Sequence, residues 1–174
     1  AVLAGCGEAA KPPAADANAA FEALAKTWLD ELAKSSPSYA TQLGDHRFDG
    51  ELADVSETGR KARSAQVKAT QDKLAALDHS ALSRDNQVDA AMLSESLEAE
   101  TFRAEKLQDW AWDPLGYASL TGGSLYSLMA REFAPLPERL LNAVSRMEKM
   151  PELLEQTRQQ LVTERVPLIH ATTY

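Results

Sequence analysis

The chain has 174 residues, 44% of them hydrophobic and 25% charged, which is room for one domain or part of a larger one and rules out a disordered or low-complexity polypeptide. Eighteen Lys and Arg against 26 Asp and Glu leave a formal charge of −8 with no basic cluster, so no nucleic acid is expected as a partner. A single cysteine excludes an internal disulfide and a cysteine zinc cage, and no apolar run reaches the roughly 18–20 residues that span a bilayer.

That cysteine stands in Leu3-Ala4-Gly5-Cys6, which looks like a bacterial lipobox: small residues before a Cys whose sulfur takes a diacylglyceryl group. Residues 8–20 read as the polar, Ala/Pro-rich tether usual behind such an anchor. The basic and apolar parts of a signal peptide are missing and the first residue is Ala1, so the sequence is expected to start inside the signal. Residues 1–20 are thus expected to be a lipobox remnant and flexible tether. Cys6 would be the lipidation site, the membrane the partner reached through it, and the bacterial cell envelope the location (the periplasmic side in a Gram-negative cell).

Residues 21–174 read as all-α, with antiparallel helix contacts. Asp16 or Asn18 is expected to cap a first helix whose Phe21, Leu24, Ala25, Trp28 and Leu32 form one stripe. Ser36-Pro37 ends it, Pro37 to Leu43 reads as a short helix closed by Gly44, and 44–55 as a loop. Ser56 is expected to cap a helix over 57–78 with Ala62, Ala69, Leu74 and Leu77 buried. Ser83 caps a third, with Val88, Met92, Glu95, Ala99 and Phe102 on one stripe and Leu93, Leu97, Ala104 and Leu107 beside it. The breakers Pro114, Gly116, Gly122 and Gly123 predict a structured loop around 110–123. Helices over 124–133, 137–150 and 151–165 follow, with Pro137 and Pro151 at first positions. Leu140, Leu141, Val144 and Met147 form the stripe of one, and Leu153, Leu154, Leu161 and Val162 of the next. Pro167 starts another helix seven residues before the end, so the chain is expected to be the N-terminal part of a longer protein.

Little in this stretch carries chemistry by itself. No His-Glu-x-x-His exists, and the positions three before His46, His79 and His170 hold Leu43, Ala76 and Pro167, which removes the Glu-x-x-His of di-iron bundles. No catalytic or metal residue is assigned. His79 reads as a solvated turn residue, while His46, in a loop, is a candidate ligand contact. Trp110, Trp112 and Tyr117 either line a ligand cleft or anchor a loop on the core. Gly122-Gly123-Ser124 is a distant echo of a nucleophile elbow and reads as a helix cap behind a turn. Glu95 could be a buried acid paired with Arg103 or Arg131.

The order of landmarks resembles a known family: Ser36 to Asp49 (SPSYATQLGDHRFD), Leu82 to Asp89 (LSRDNQVD), Trp112-Asp113-Pro114, Arg131 to Pro135 (REFAP), and Arg139-Leu140-Leu141 through Met150-Pro151. This is similar to the N-terminal part of the bacterial domain-of-unknown-function family 885, many of whose members are lipoproteins. The resemblance implies a parent protein that looks like a mostly helical zinc metallopeptidase acting on peptides, with its metal motif downstream of this chain. It transfers no catalytic residue here, and no cofactor is expected within these residues. The chain would wall or cover a substrate channel; the alternative is a non-catalytic helical envelope lipoprotein that binds a partner.

Overall fold

The structure, a computed structural model, describes residues 14–172; Cys6 and the first part of the expected tether lie outside them. Residues 14–20, expected as tether, already belong to α1 (Ala14–Ser35), because an Ala-rich run has high helix propensity and Ala17 is buried beside Phe21. Asp16 and Asn18 therefore sit inside the helix instead of capping it. The Asn18 carboxamide oxygen accepts from the Ser83 amide at 2.9 Å and from Asn86 Nδ2 at 2.8 Å, tying α1 to the start of α4. Phe21, Leu24, Ala25 and Trp28 face the core as the stripe predicts.

Pro37 opens α2 (Pro37–Leu43) and Gly44, at φ 90°, closes it in the left-handed region that favours glycine. Ser56 caps α3 (Glu57–Ala75) by accepting the Gly59 amide at 3.1 Å. The buried face of α3 is Val67, Thr70 and Leu74. Ala62 and Ala69 are exposed, since Ala69 lies about 200° around the helix from Val67. Gly59 is required where it stands: a Cβ there would lie 2.3 Å from the Asp54 carbonyl oxygen. Gly59→Ala is expected to cost about 1–3 kcal/mol by overpacking, read as a lower urea midpoint. An unchanged midpoint would mean that the 52–55 segment gives way freely.

Ser83 caps α4 (Arg84–Phe102) through the Asn86 amide. Its buried side is Ala90 and Leu97, with Leu93 partly covered. The expected stripe faces outward instead: Met92 is 66% and Phe102 58% exposed. This helix carries apolar residues on two sides, and periodicity cannot tell which meets α1 and α3; the small Ala90 allows the close approach. Glu95 is exposed and pairs with neither arginine, Arg131 donating instead to the Gln42 carbonyl.

The helix continues into a π-helical turn at Arg103–Leu107, then Gln108 at φ 51° and a 3₁₀ turn at Asp109–Ala111. The break ends there. Asp113 caps the Leu115 amide and Pro114 is the first residue of α5 (Pro114–Met129), so most of the expected 110–123 loop is helix. Gly122 and Gly123 lie inside α5, and Ser124 is buried with its hydroxyl on the Thr121 carbonyl. The two helices expected at 137–150 and 151–165 are one, α6 (Leu136–Gln160), with Pro151 inside it. An internal proline costs about 3 kcal/mol, and the buried Leu153, Thr157 and Gln160 beyond it hold the helix on course. A short α7 (Leu168–Thr172) follows Pro167.

The described residues are all-α. Phe21, Trp28, Val67, Leu74, Ala90 and Leu97 make the core of α1, α3 and α4, and α5 packs on α2 and α6. None of these helices is long and apolar enough to cross a membrane.

Candidate functional site

A groove of about 730 Å³ runs between the 52–55 segment, α3, the π turn and the start of α5. This is the size range of small-molecule sites. The local geometry there is irregular by sequence design. The π turn and left-handed Gln108 shift the chain between α4 and α5, and the Trp110 indole donates to the Ala104 carbonyl at 3.2 Å. The Tyr117 hydroxyl donates to the Trp110 carbonyl at 2.8 Å, locking both rings into the groove wall.

Two arginines on α3 line this space and differ in their partners. Arg63 binds the Glu100 carboxylate through two nitrogens at 2.9 and 2.6 Å, reaches Ser35 and Gln66, and lies 4.3 Å over the Trp28 ring. Four of its five N–H donors are engaged, and it fastens α3 to α4 and α1. Arg60, one turn away, stacks 3.7 Å from the Trp110 ring centroid. It has no ion pair or hydrogen bond from its side chain among the described residues, and its Nε is buried without a partner.

Burial pushes the Tyr117 phenol up to about 12, with the Asp109 charge adding to the shift. The neutral phenol is favoured by folding, so this contribution to stability is present below pH ~10 and is lost as pH rises toward 12. A spectrophotometric titration is expected to show one phenol ionising late, and Tyr117→Phe to remove that late step. All phenols ionising together near pH 10 in the folded protein would contradict the half-buried placement of Tyr117.

Of the expected ligand contacts, Trp110 and Tyr117 meet in the groove, whereas Trp112 and His46 do not line it. Trp112 donates its indole N–H to the Leu107 carbonyl at 2.9 Å and lies 5.9 Å from the His170 ring. His46 has a separate role. Its ring stacks on Phe133 at 3.7 Å and its Nδ1 is 2.9 Å from Asp49, which is 3% exposed. Asp49 also accepts the Thr41 hydroxyl at 2.6 Å, and Arg146 donates to Thr41 at 2.9 Å and to the Glu51 carbonyl at 3.0 Å. This network pins the 44–55 loop between α2 and α6. His79 lies on the Leu74 carbonyl through Nε2.

Among the described residues no three His, Cys, Asp or Glu side chains form a group that could hold a metal ion. The zinc implied by the family resemblance therefore finds no fit in these residues.

Arg60, Arg63, Asp49 and Arg146 are not among the candidate site residues that the sequence suggests. An Arg on a polar helix face reads as solvated, and only the i,i+3 spacing of His46 and Asp49 offered a cue.

Residues 37–172 match the model of a family described as a bacterial protein of unknown function, DUF885. The chain belongs to that family. No curated protein matches it. It is also similar to the solved structure of a proposed lipoprotein of unknown function from Shewanella oneidensis, at 29% identity and a TM-score of 0.78. The similarity covers 86% of this chain and 27% of that one, so the chain spans about a quarter of that protein's length.

Proposed function

We propose that this chain is the N-terminal helical part of a longer, lipid-anchored envelope protein of peptidase-like type, and that it walls or covers a substrate channel formed with the rest of that protein. The observation that carries this reading is the inverted face of α6. Leu140, Leu141, Val144 and Met147, its expected core stripe, point outward, with Leu141 71% exposed. Arg139, Ala143 and Arg146 are buried on the other side. Arg139 caps the end of α5, donating to the carbonyls of Leu128, Met129, Arg131 and Ala134. Contiguous apolar surface of this kind is what an interface with further protein looks like. The Shewanella structure, of which this chain spans only 27%, supplies a precedent for such additional protein. Cys6 is the anchor in this reading, and peptides are the substrate class of the whole protein.

The test is a comparison of full-length protein with the 174-residue chain. Full-length protein is expected to hydrolyse peptides and to lose activity with a chelator, while the chain alone does neither and binds a hydrophobic dye. Wild type is expected to partition into detergent and Cys6→Ala to remain in the aqueous phase. Full-length protein that packs against α6 but hydrolyses no peptide would favour the second reading, a non-catalytic envelope lipoprotein whose α6 face meets a partner.

A further inference from the structure

We infer that the groove beside α3 is a binding site for a monocarboxylate with an apolar body, and that Arg60 is the residue that recognises the carboxylate. Arg60 is the observation that points to a ligand. A guanidinium offers five donors in a fixed fork, and Arg63, on the same helix and in the same groove, has four of them engaged by Glu100, Ser35 and Gln66. Arg60 has no such acceptors. Stacking on Trp110 holds it in place beforehand, which lowers the ordering cost of a two-point contact with a planar carboxylate. Tyr117 and Leu120 of α5, with Val55 opposite, give the apolar surface that a body attached to the carboxylate would cover.

The charges around the groove restrict the class further. Six carboxylates line it, from Glu31, Asp54, Glu100, Glu105, Asp109 and Asp113, against Lys34, Arg60, Arg63 and Lys68. Four of the six already have local duties: Asp54 on the Ser56 amide, Asp109 on the Trp110 amide, Asp113 on the Leu115 amide and Glu100 on Arg63. The surplus of negative charge still penalises a dianion far more than a single carboxylate. Phosphate is therefore the wrong ligand, and a ligand with one charge and a large apolar part is the right one. Two sources carry that chemistry, the free C-terminus of a peptide and an aliphatic acid. The assignment to Arg60 is independent of whether the longer protein is a hydrolase.

The experiment is calorimetric titration of the full-length protein with four probes: N-acetyl-leucyl-phenylalanine, its C-terminal amide, decanoate and inorganic phosphate. At least one of the two carboxylates is expected to bind, and to identify the source by which one does. The amide is expected to bind about 10-fold or more weakly than the acid if the dipeptide is the better source, as the loss of a charge-assisted hydrogen bond implies. Phosphate is expected not to bind. Arg60→Gln should abolish the preference for carboxylate, and Arg60→Lys should retain part of it, with circular dichroism confirming that both variants stay folded. Measurable binding of the dipeptide acid and its amide with equal affinity, phosphate binding as tight as the acids, a preference that survives in Arg60→Gln, or no binding by either carboxylate would each overturn the assignment.

Discussion

Replacing Arg146 with methionine is expected to destabilise the fold by about 3–5 kcal/mol, the cost of breaking a buried charge network by removing one partner. Arg146 is 0% exposed although it is charged. It donates to the carbonyls of Glu51 and Ser124 and to the Thr41 hydroxyl. Thr41 in turn donates to the Asp49 carboxylate, which His46 also contacts. Burial draws the guanidinium below its usual range, and Asp49 and Glu51 oppose that shift; an arginine stays protonated throughout. Methionine would fill much of the volume but leave the Glu51 carbonyl without its donor and Asp49 with less compensation, while the Ser124 carbonyl keeps the Ser127 hydroxyl. Arg146→Lys keeps the charge but not the fork that reaches three acceptors, so an intermediate loss of about 1–3 kcal/mol is expected. Urea unfolding with an unchanged slope reads both values. A loss below about 1 kcal/mol for Arg146→Met would mean that other groups satisfy those acceptors.

The caps and closures were legible in sequence because their chemistry is local. Ser56, Ser83, Pro37 and Gly44 act on amides and dihedrals within a few residues, and each does what its type predicts. Proline was legible only in part. Pro114 is a helix start that reads as a break when followed by glycines, and Pro151 is a helix interior that reads as a start. The stripes failed where burial depends on distant partners. Val88 to Phe102 on α4 and Leu140 to Met147 on α6 are regular apolar faces, but a 3.6-residue period fixes only that they share a side. It does not fix what that side meets. On α6 the inner side is instead polar, because Arg139 and Arg146 serve carbonyls at the ends of α5 and the 50–51 segment. In the groove, Trp110 and Tyr117 were legible as aromatic candidates. Arg60 was not, since its significance lies in the partners it lacks in space.

The outer face of α6 gives the second large expectation. Leu141 and Met147 are exposed here, at 71% and 58%. If further protein covers them, each contributes about 1.5–3 kcal/mol by burial. The double variant Leu141→Glu, Met147→Glu would then cost the longer protein about 3–6 kcal/mol, before any penalty for burying the new carboxylates. In the 174-residue chain the same substitutions fall on open surface, where changes stay within about 0.5 kcal/mol. They should also reduce self-association there by removing apolar area and adding charge.

Unfolding of the double variant, measured side by side in the full-length protein and in the 174-residue chain, tests the placement of α6 as an internal wall most directly. The expected result is a loss of several kcal/mol in the full-length protein with no loss, and less aggregation, in the shorter chain. Full-length protein that tolerates both glutamates as easily as the 174-residue chain does would contradict it and leave the α6 face open to solvent.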